Sequence, residues 1–246
     1  MSGHSKWSTI KHKKAINDAK RANIFTKHAK LIEVAARGGG DPEMNFTLRM
    51  AIDGARAVNM PKDNIERAIK RGTGEAKDGV VLSEITYEGY GPGQISMLIQ
   101  CVTDNKNRTL SDIKTILKKN KGKFVEGGGV SWQFEQRGRI IVEDMDENKL
   151  EKLEMEIIES GAEDYELDDD VLMIYTKATE LNNVQKKIEE ILRDDSDEEL
   201  KIAEAKLIFD AKEKNEISDE ELGDLENLLG LLEENDDVVD LWTSLK

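Results

Sequence analysis

An α+β protein of three domains is what this sequence predicts: an N-terminal helical bundle and two α/β sandwich domains, the last of them ferredoxin-like. Three observations carry the prediction. Apolar residues keep a helical period through residue 77, the period then falls to two, and from Arg139 onward strand and helix patterns follow in the order of a split βαβ unit. At 246 residues the chain also exceeds what one core usually serves, about 100 to 200 residues.

Ile16, Ala19, Ile24, Leu31, Ile32, Ala35 and Ala36 fall near one helical face, and Gly38, Gly39 and Gly40 end the run. Asp41, Pro42 and Glu43 predict the start of a second helix. Asp can cap, Pro suits a first turn and Glu favours the positive end of the helix dipole. Phe46, Met50, Ala57 and Val58 would be its buried side. Pro61 opens a third segment that Gly72 closes, in which Asp63–Arg67 and Glu66–Lys70 are acid-before-base pairs four residues apart.

Beyond Asp78 and Gly79, Ile85 and Tyr87, the turn Gly91-Pro92-Gly93 and the apolar run 94–104 predict a hairpin. Leu110, Ile113, Ile116 and Leu117 place a helix behind it. Val130, Trp132 and Phe134, alternating with Ser131, Gln133 and Glu135, predict a third strand. The next region is expected to run strand 139–143, helix 147–160, strands 163–167 and 171–176, helix 180–193 and strand 200–209. In a split βαβ unit the last strand lies antiparallel beside the first, so the chain leaves near where it entered. The remaining helix (Leu222, Leu225, Leu228, Leu229, Leu232) and strand (Val238, Val239, Leu241, Trp242) cannot form a core alone and should return to the hairpin sheet. The expected domains are 1–77, basic and helical; 78–137 plus 210–246, discontinuous; and 138–209, acidic and inserted.

Composition narrows the function. With 35% charged and 38% hydrophobic residues the chain resembles soluble globular proteins. No apolar run approaches the roughly 18 residues of a membrane span, and MSGHSKWSTIKHKK lacks the apolar stretch of a secretory signal. A cytoplasmic protein is expected. The single cysteine, Cys101, permits no intramolecular disulfide and reads as core. The net charge of -15 conceals a division along the chain. Residues 1–77 hold 16 Lys+Arg against 8 Asp+Glu, residues 78–137 hold 8 against 7, and residues 138–246 hold 12 against 36. Such a chain offers one basic end to a polyanion while its acidic end is repelled.

Catalytic and metal-binding patterns are absent from the sequence. His4, His12 and His28 show no HExxH spacing and have no cysteine partners. The glycine runs at 38–40, 72–74, 89–93 and 127–129 do not match GxxxxGK and read as turns. Asp168, Asp169 and Asp170 read as a solvated hairpin turn, and acid pairs such as Asp236-Asp237 arise readily among 51 carboxylates. A non-enzymatic protein without cofactor or metal is expected. The basic segment is more specific: Lys6, Lys11, Lys13, Lys14, Lys20, Arg21, Lys27 and Lys30 are opposed by Asp18 alone. Lys13, Lys20 and Lys27 recur at sevens, as do Lys14 and Arg21, so a helix would gather them into a stripe that neutralises phosphates. His12 lies within it, and Trp7 offers either a face for base stacking or a hydrophobic anchor. Lys62, Arg67, Lys70 and Arg71 extend this surface or pair with Asp63 and Glu66. Lys106 and Arg108, with Lys118, Lys119, Lys121 and Lys123, form a second basic region or complement a helix end.

The strings GHSKWSTIKHKKAINDAKRANIFTKHAKLIEVAARGGGDPEMN, NMPKDNIERAIKRGTG, YEGYGPG, TDNKNRT and LLEENDDVVDLWTSL resemble the YebC/PmpR family across essentially the whole chain. The resemblance implies three domains, one helical and two α+β, and regulators of gene expression without known catalysis. Many members are described as DNA-binding transcriptional regulators. Others, including mitochondrial relatives that activate synthesis of a respiratory-chain subunit, act in translation at the ribosome, and bacterial members are linked to relief of stalling at proline runs. Ser2 stands where Ala is usual and KDGVVLSEI has its own composition, but neither touches the stripe. Met1 directly precedes the motif, so no transit peptide and a bacterial cytoplasmic member are expected. Lysine contacts phosphate as a point charge, and no helix-turn-helix or dimer seam is legible, which favours ribosomal RNA as partner over a DNA operator. The expected function is a ribosome-associated translation factor, with DNA-binding transcriptional regulation as the alternative. Neither a membrane nor a small-molecule substrate is expected.

Overall fold

The computed structural model describes residues 18–76, 81–194 and 200–246. In chain order the elements are α1 (Asp18–Ala35), α2 (Phe46–Ala57), α3 (Lys62–Gly72), β1 (Ser83–Tyr90), β2 (Ser96–Thr103), α4 (Lys106–Lys119), β3 (Lys123–Val125), β4 (Phe134–Glu143), α5 (Glu147–Glu159), β5 (Asp164–Asp168), β6 (Val171–Lys177), α6 (Leu181–Asp194), β7 (Lys201–Ala211), α7 (Asp219–Glu233) and β8 (Val238–Thr243). Contacts divide the described chain into two compact units, one holding residues up to 135 with 210–246 and the other holding residues 136–209.

In the first unit, Ile32, Ala36, Leu48, Ile52, Ala55, Met60, Ile65 and Ala68 form the core shared by α1, α2 and α3. The second helix starts later than Asp41. Asn45 is its cap, accepting from the Leu48 amide at 3.1 Å while donating to the carbonyls of Ala35 and Gly39, both at 2.8 Å. Asp41 instead accepts from the Glu43 amide in a short turn. The face turned to the core also differs: Leu48, Ile52 and Ala55, at helical spacing, are buried, whereas Phe46, Met50, Ala57 and Val58 are at most half-buried. The expected pairs Asp63–Arg67 and Glu66–Lys70 give way to Lys62–Glu66 at 3.6 Å, with Lys62 87% exposed. Gly72 lets α3 approach α1 closely, since a Cβ there would lie 2.2 Å from the Glu33 carbonyl oxygen.

The sheet of this unit has the order β3-β1-β2-β8. β1 and β2 form the hairpin, antiparallel from Ser83 opposite Thr103 to Tyr90 opposite Ser96. The C-terminal strand β8 completes the sheet beside β2, with a register shift at Gln100 and Cys101. Cys101 is buried, and burial pushes its thiol up to about 12. The third strand is not 130–135 but Lys123–Val125. Residues 131–133 form a single 3-10 turn, and Phe134 already begins β4 of the other sheet. The cause is Glu88, which is buried and accepts from the amides of Gly128 (2.7 Å), Val130 (2.6 Å) and Ser131 (2.9 Å). Those donors would otherwise have joined a strand ladder.

The second unit carries the order β5-β6-β4-β7, the arrangement of a ferredoxin-like split βαβ fold, with helices α5 and α6. β4 and β6 pair antiparallel from Arg137 opposite Lys177 to Val142 opposite Leu172. Ile140, Ile141, Val142, Leu172, Ile174, Leu153, Ile157, Val184 and Ile188 are buried. Asp169 takes a positive φ of 55° in the two-residue turn between β5 and β6.

Candidate nucleic-acid interface

Six expected contact residues, Lys6, Trp7, Lys11, His12, Lys13 and Lys14, lie outside the described residues. Lys20 falls in the first turn of α1, and Arg21 beside it is exposed. His28 packs against Gly54 of α2, where a Cβ would lie 3.4 Å from its ring.

Lys27 and Lys30 depart from the expected stripe. Lys27 donates to the Glu233 carbonyl, and Asn23 donates to the Glu234 carbonyl at 3.1 Å. Both oxygens belong to the C-terminal end of α7, where carbonyls lack helical partners and the dipole is negative. Lys30 reaches the next loop, donating to the Asp236 carbonyl at 2.8 Å and to the Asp237 carboxylate at 2.7 Å. Its side chain is only 18% exposed. Lys27, the last of the lysines at sevens, and Lys30 thus form an internal seam against the end of α7 and the loop before β8.

Asp237 is the centre of that seam. One carboxylate oxygen accepts from Lys30, and the other accepts from Thr109 (2.8 Å), Arg108 (3.0 Å) and Thr103 (3.1 Å). Its own carbonyl accepts from the Val102 amide at 2.8 Å. Burial alone would raise its pKa, but the hydrogen bonds from Lys30, Arg108 and Thr109 hold it at about 2. Glu88 behaves alike: burial opposes ionisation, and the three loop amides still bring its pKa below the ordinary carboxylate value. Around Asp237 the string TDNKNRT acquires a physical role. Asn105 caps α4 by accepting from the Arg108 amide, the Thr109 and Thr103 hydroxyl oxygens lie 2.8 Å apart at the same carboxylate oxygen, and Arg108 also bridges Asp104 at 2.7 Å. Arg108 is therefore part of an intramolecular clamp, while Lys106 next to it is exposed.

The other expected cations remain outward. Lys62, Arg67, Lys70 and Arg71 are all exposed on α3, opposite buried Ile65 and Ala68, and Arg67, Lys70 and Arg71 lie three and four residues apart on one face. Lys70 and Arg71 occupy the last turn, where the dipole favours cations. A cleft of about 800 Å³ near them is bordered by cations (Lys30, Arg71, Arg108) and by acids (Glu33, Asp112, Asp236), so it has no single sign. Among the described residues no group of three or more His, Cys, Asp or Glu could hold a metal ion, and no helix is long and apolar enough to cross a membrane.

Fold and geometry define an α+β protein in which two buried carboxylates clamp distant segments of one sheet while cations stand out on a separate helix. The chain belongs to the TACO1/YebC family: the model of its N-terminal domain matches residues 5–75 and that of its second and third domain matches residues 82–245. It is 44% identical over 250 residues to a "Probable transcriptional regulatory protein" of Halothermothrix orenii, covering 99% of this chain and 94% of that one. A protein of the same description from Desulfotalea psychrophila is 48% identical over 240 residues, covering 97% and 92%. The crystal structure of a conserved hypothetical protein from Aquifex aeolicus superposes with a TM-score of 0.85 at 38% identity, covering 96% of this chain and 95% of that one.

Asp237, Glu88 and Thr109 escaped the sequence reading as contact-forming residues. Asp237 looked like one acid of many, and its partners lie 128 to 207 residues away. The signal was present only as two unusual strings, TDNKNRT and NDDVVDLW, whose meeting the linear sequence does not state.

Proposed function

We propose that this chain is a non-enzymatic, cytoplasmic regulator of gene expression that binds ribosomal RNA through its basic N-terminal segment and relieves ribosomes stalled at proline runs. The observation that supports this most is the division of charge, 16 Lys+Arg against 8 Asp+Glu in residues 1–77 and 12 against 36 in residues 138–246. A polyanion draws in the first and repels the second, which orients the encounter. The exposed Arg21, Arg67, Lys70 and Arg71 agree with that reading. Lys27, Lys30 and Arg108 already bind the end of α7 and Asp237, Arg108 from an exposed position, and so have less to offer a phosphate. Residues 1–77 would be the docking domain, 78–137 with 210–246 the clamped frame, and 138–209 the inserted acidic domain.

The relatives' names favour a second reading, a DNA-binding transcriptional regulator. Crosslinking in cells followed by sequencing of the attached nucleic acid separates the two. Ribosomal RNA recovered at defined positions supports the first reading, and promoter DNA recovered instead overturns it. Charge reversal at Lys13, Lys14, Lys20 and Arg21 is expected to abolish ribosome binding at moderate salt, and intact binding would remove the N-terminal segment from the interface.

A further inference from the structure

Residues 114–132 carry Lys114, Lys118, Lys119, Lys121 and Lys123 against Glu126 alone, and all five lysines are exposed. Lys121 pairs with Asp224, and Lys114 sits 4.6 Å over the Phe124 ring, which lays the end of α4 on β3. Lys118, Lys119 and Lys123 have no ion pair among the described residues. β3 is an edge strand, so a ligand can approach along it.

The loop that follows presents a tryptophan. Trp132 is 67% exposed, although indole is among the side chains with most to gain from burial. Its one donor is already used, because Nε1 donates to the Gly129 carbonyl at 3.1 Å. Only the ring faces are left to offer, so a partner recognises this side chain by stacking. The platform is rigid. Glu88 holds the amides of Gly128, Val130 and Ser131, and Gly129 lies on Val125, where a Cβ would be 2.3 Å from Cγ1. Lys212 Nζ donates to the Trp132 backbone carbonyl at 2.8 Å, which ties this residue down and adds a cation to the loop. A fixed aromatic loses little entropy on binding.

We propose that the edge made by the last turn of α4, β3 and the loop 126–133 binds single-stranded RNA, with Trp132 stacked on an unpaired base and Lys118, Lys119 and Lys123 on the flanking phosphates. Stacking requires a base free of its duplex, which RNA displays in loops and ends. Lysines without a fork geometry fit a backbone read without regard to sequence. This inference rests on the RNA reading above and adds to it a second contact, remote in sequence from residues 1–30.

The test is fluorescence anisotropy of the full chain with a labelled oligouridine of about 12 nucleotides, beside an RNA hairpin duplex and an oligodeoxythymidine of equal length. W132A is expected to weaken oligouridine binding by about 5- to 100-fold, with W132F restoring most of it and duplex binding unchanged. K118E/K119E/K123E is expected to lower the slope of log K against log salt by about 2. Melting curves of all variants should overlay the wild type, as their side chains are exposed. W132A binding within about twofold of wild type, while reversal at Lys13, Lys14, Lys20 and Arg21 abolishes it, overturns this inference and leaves the ribosomal reading standing. Deoxythymidine bound as tightly as oligouridine overturns the assignment to RNA, and a wild-type chain that binds no RNA overturns both readings.

Discussion

In the sheet ordered β3-β1-β2-β8, two carboxylates are buried, and each is held by at least three donors from segments far away in sequence: Glu88 by the loop 128–131, Asp237 by α1 and α4. In the sheet ordered β5-β6-β4-β7, Arg139 is bonded to Glu204 at 2.7 Å, while Glu147, Glu151, Glu156 and Glu159 of α5 and Glu189 and Glu190 of α6 are exposed around buried Leu153, Ile157, Val184 and Ile188. The first sheet uses buried carboxylates to hold distant segments together, whereas the second turns most acids of its helices to solvent and keeps pairs such as Arg139–Glu204 on its strands. A buried charge with fixed partners constrains residue identity at every partner, whereas a solvated acid constrains only solubility. The difference explains how residues 138–209 can hold 23 Asp+Glu against 9 Lys+Arg without disturbing the fold there.

Removing the Asp237 carboxylate should be the most damaging single change. D237A leaves Lys30 facing an empty site and Thr103, Thr109 and Arg108 without a shared acceptor. Breaking one side of a buried ion pair costs about 3–5 kcal/mol. Hydrogen exchange should show faster opening of α1, β2, α4 and β8, with no change in β4 to β6; uniform loss of protection would break the comparison. The same residue sets an acid limit. Its folded pKa of about 2 lies below the ordinary 3.8, and that of Glu88 is lowered as well. Depressed carboxylate values contribute stability that is present above the ordinary pKa and lost as pH falls through the folded one. Denaturant midpoints of the first unit should therefore fall between about pH 4 and pH 2, and D237N should flatten that fall.

Two glycines sharpen the contrast at intermediate size, because each sits at a close approach in a different unit. A Cβ on Gly72 would lie 2.2 Å from the Glu33 carbonyl oxygen, and one on Gly138 would lie 2.3 Å from Thr176 Oγ1 and 2.9 Å from Leu181 Cβ. G72A and G138A should each cost about 1–3 kcal/mol by overpacking. Measured by hydrogen exchange, each loss should stay in its own unit: G72A in α1 and α3, G138A in β4, β6 and α6. A loss that spreads from one unit to the other would show that they unfold as one.

How much of this was legible from the sequence follows the same division. The ferredoxin-like unit could be read because its strands and helices carry their own periodicity, and its elements fell within a few residues of the expected ones apart from the longer ends of β4 and β7. The return of β8 to the hairpin sheet was legible too, since Val238, Val239, Leu241 and Trp242 had no other core to join. Misreadings cluster where side chains bind backbone. Alternation at 130–135 imitated a strand, but the Glu88 carboxylate takes that loop's amides. Asp41 imitated a cap, but Asn45 fills that role from four residues on. The spacing of lysines at sevens placed Lys27 on an outward stripe, yet Lys27 and Lys30 meet carbonyls and a carboxylate more than 200 residues away. Periodicity reports which face is apolar, and it carries no information about which distant acceptor a charged side chain will find.

The smallest expected effect is also the most direct test of the idea that the exposed acids of α5 answer to solvent alone. Glu151 and Glu156 are exposed on α5, and neither has an ion pair among the described residues. Neutralising them removes two charges from a strongly acidic region, which relieves repulsion slightly and withdraws no hydrogen bond from a buried group. E151Q/E156Q should therefore change unfolding stability by less than about 0.5 kcal/mol in either direction. Urea titration at low and at high salt checks this, since any residual effect of charge should vanish as salt screens it. A loss approaching that of D237A, or one that persists in high salt, would mean that these acids hold specific partners, and the contrast between the two sheets would then be one of degree.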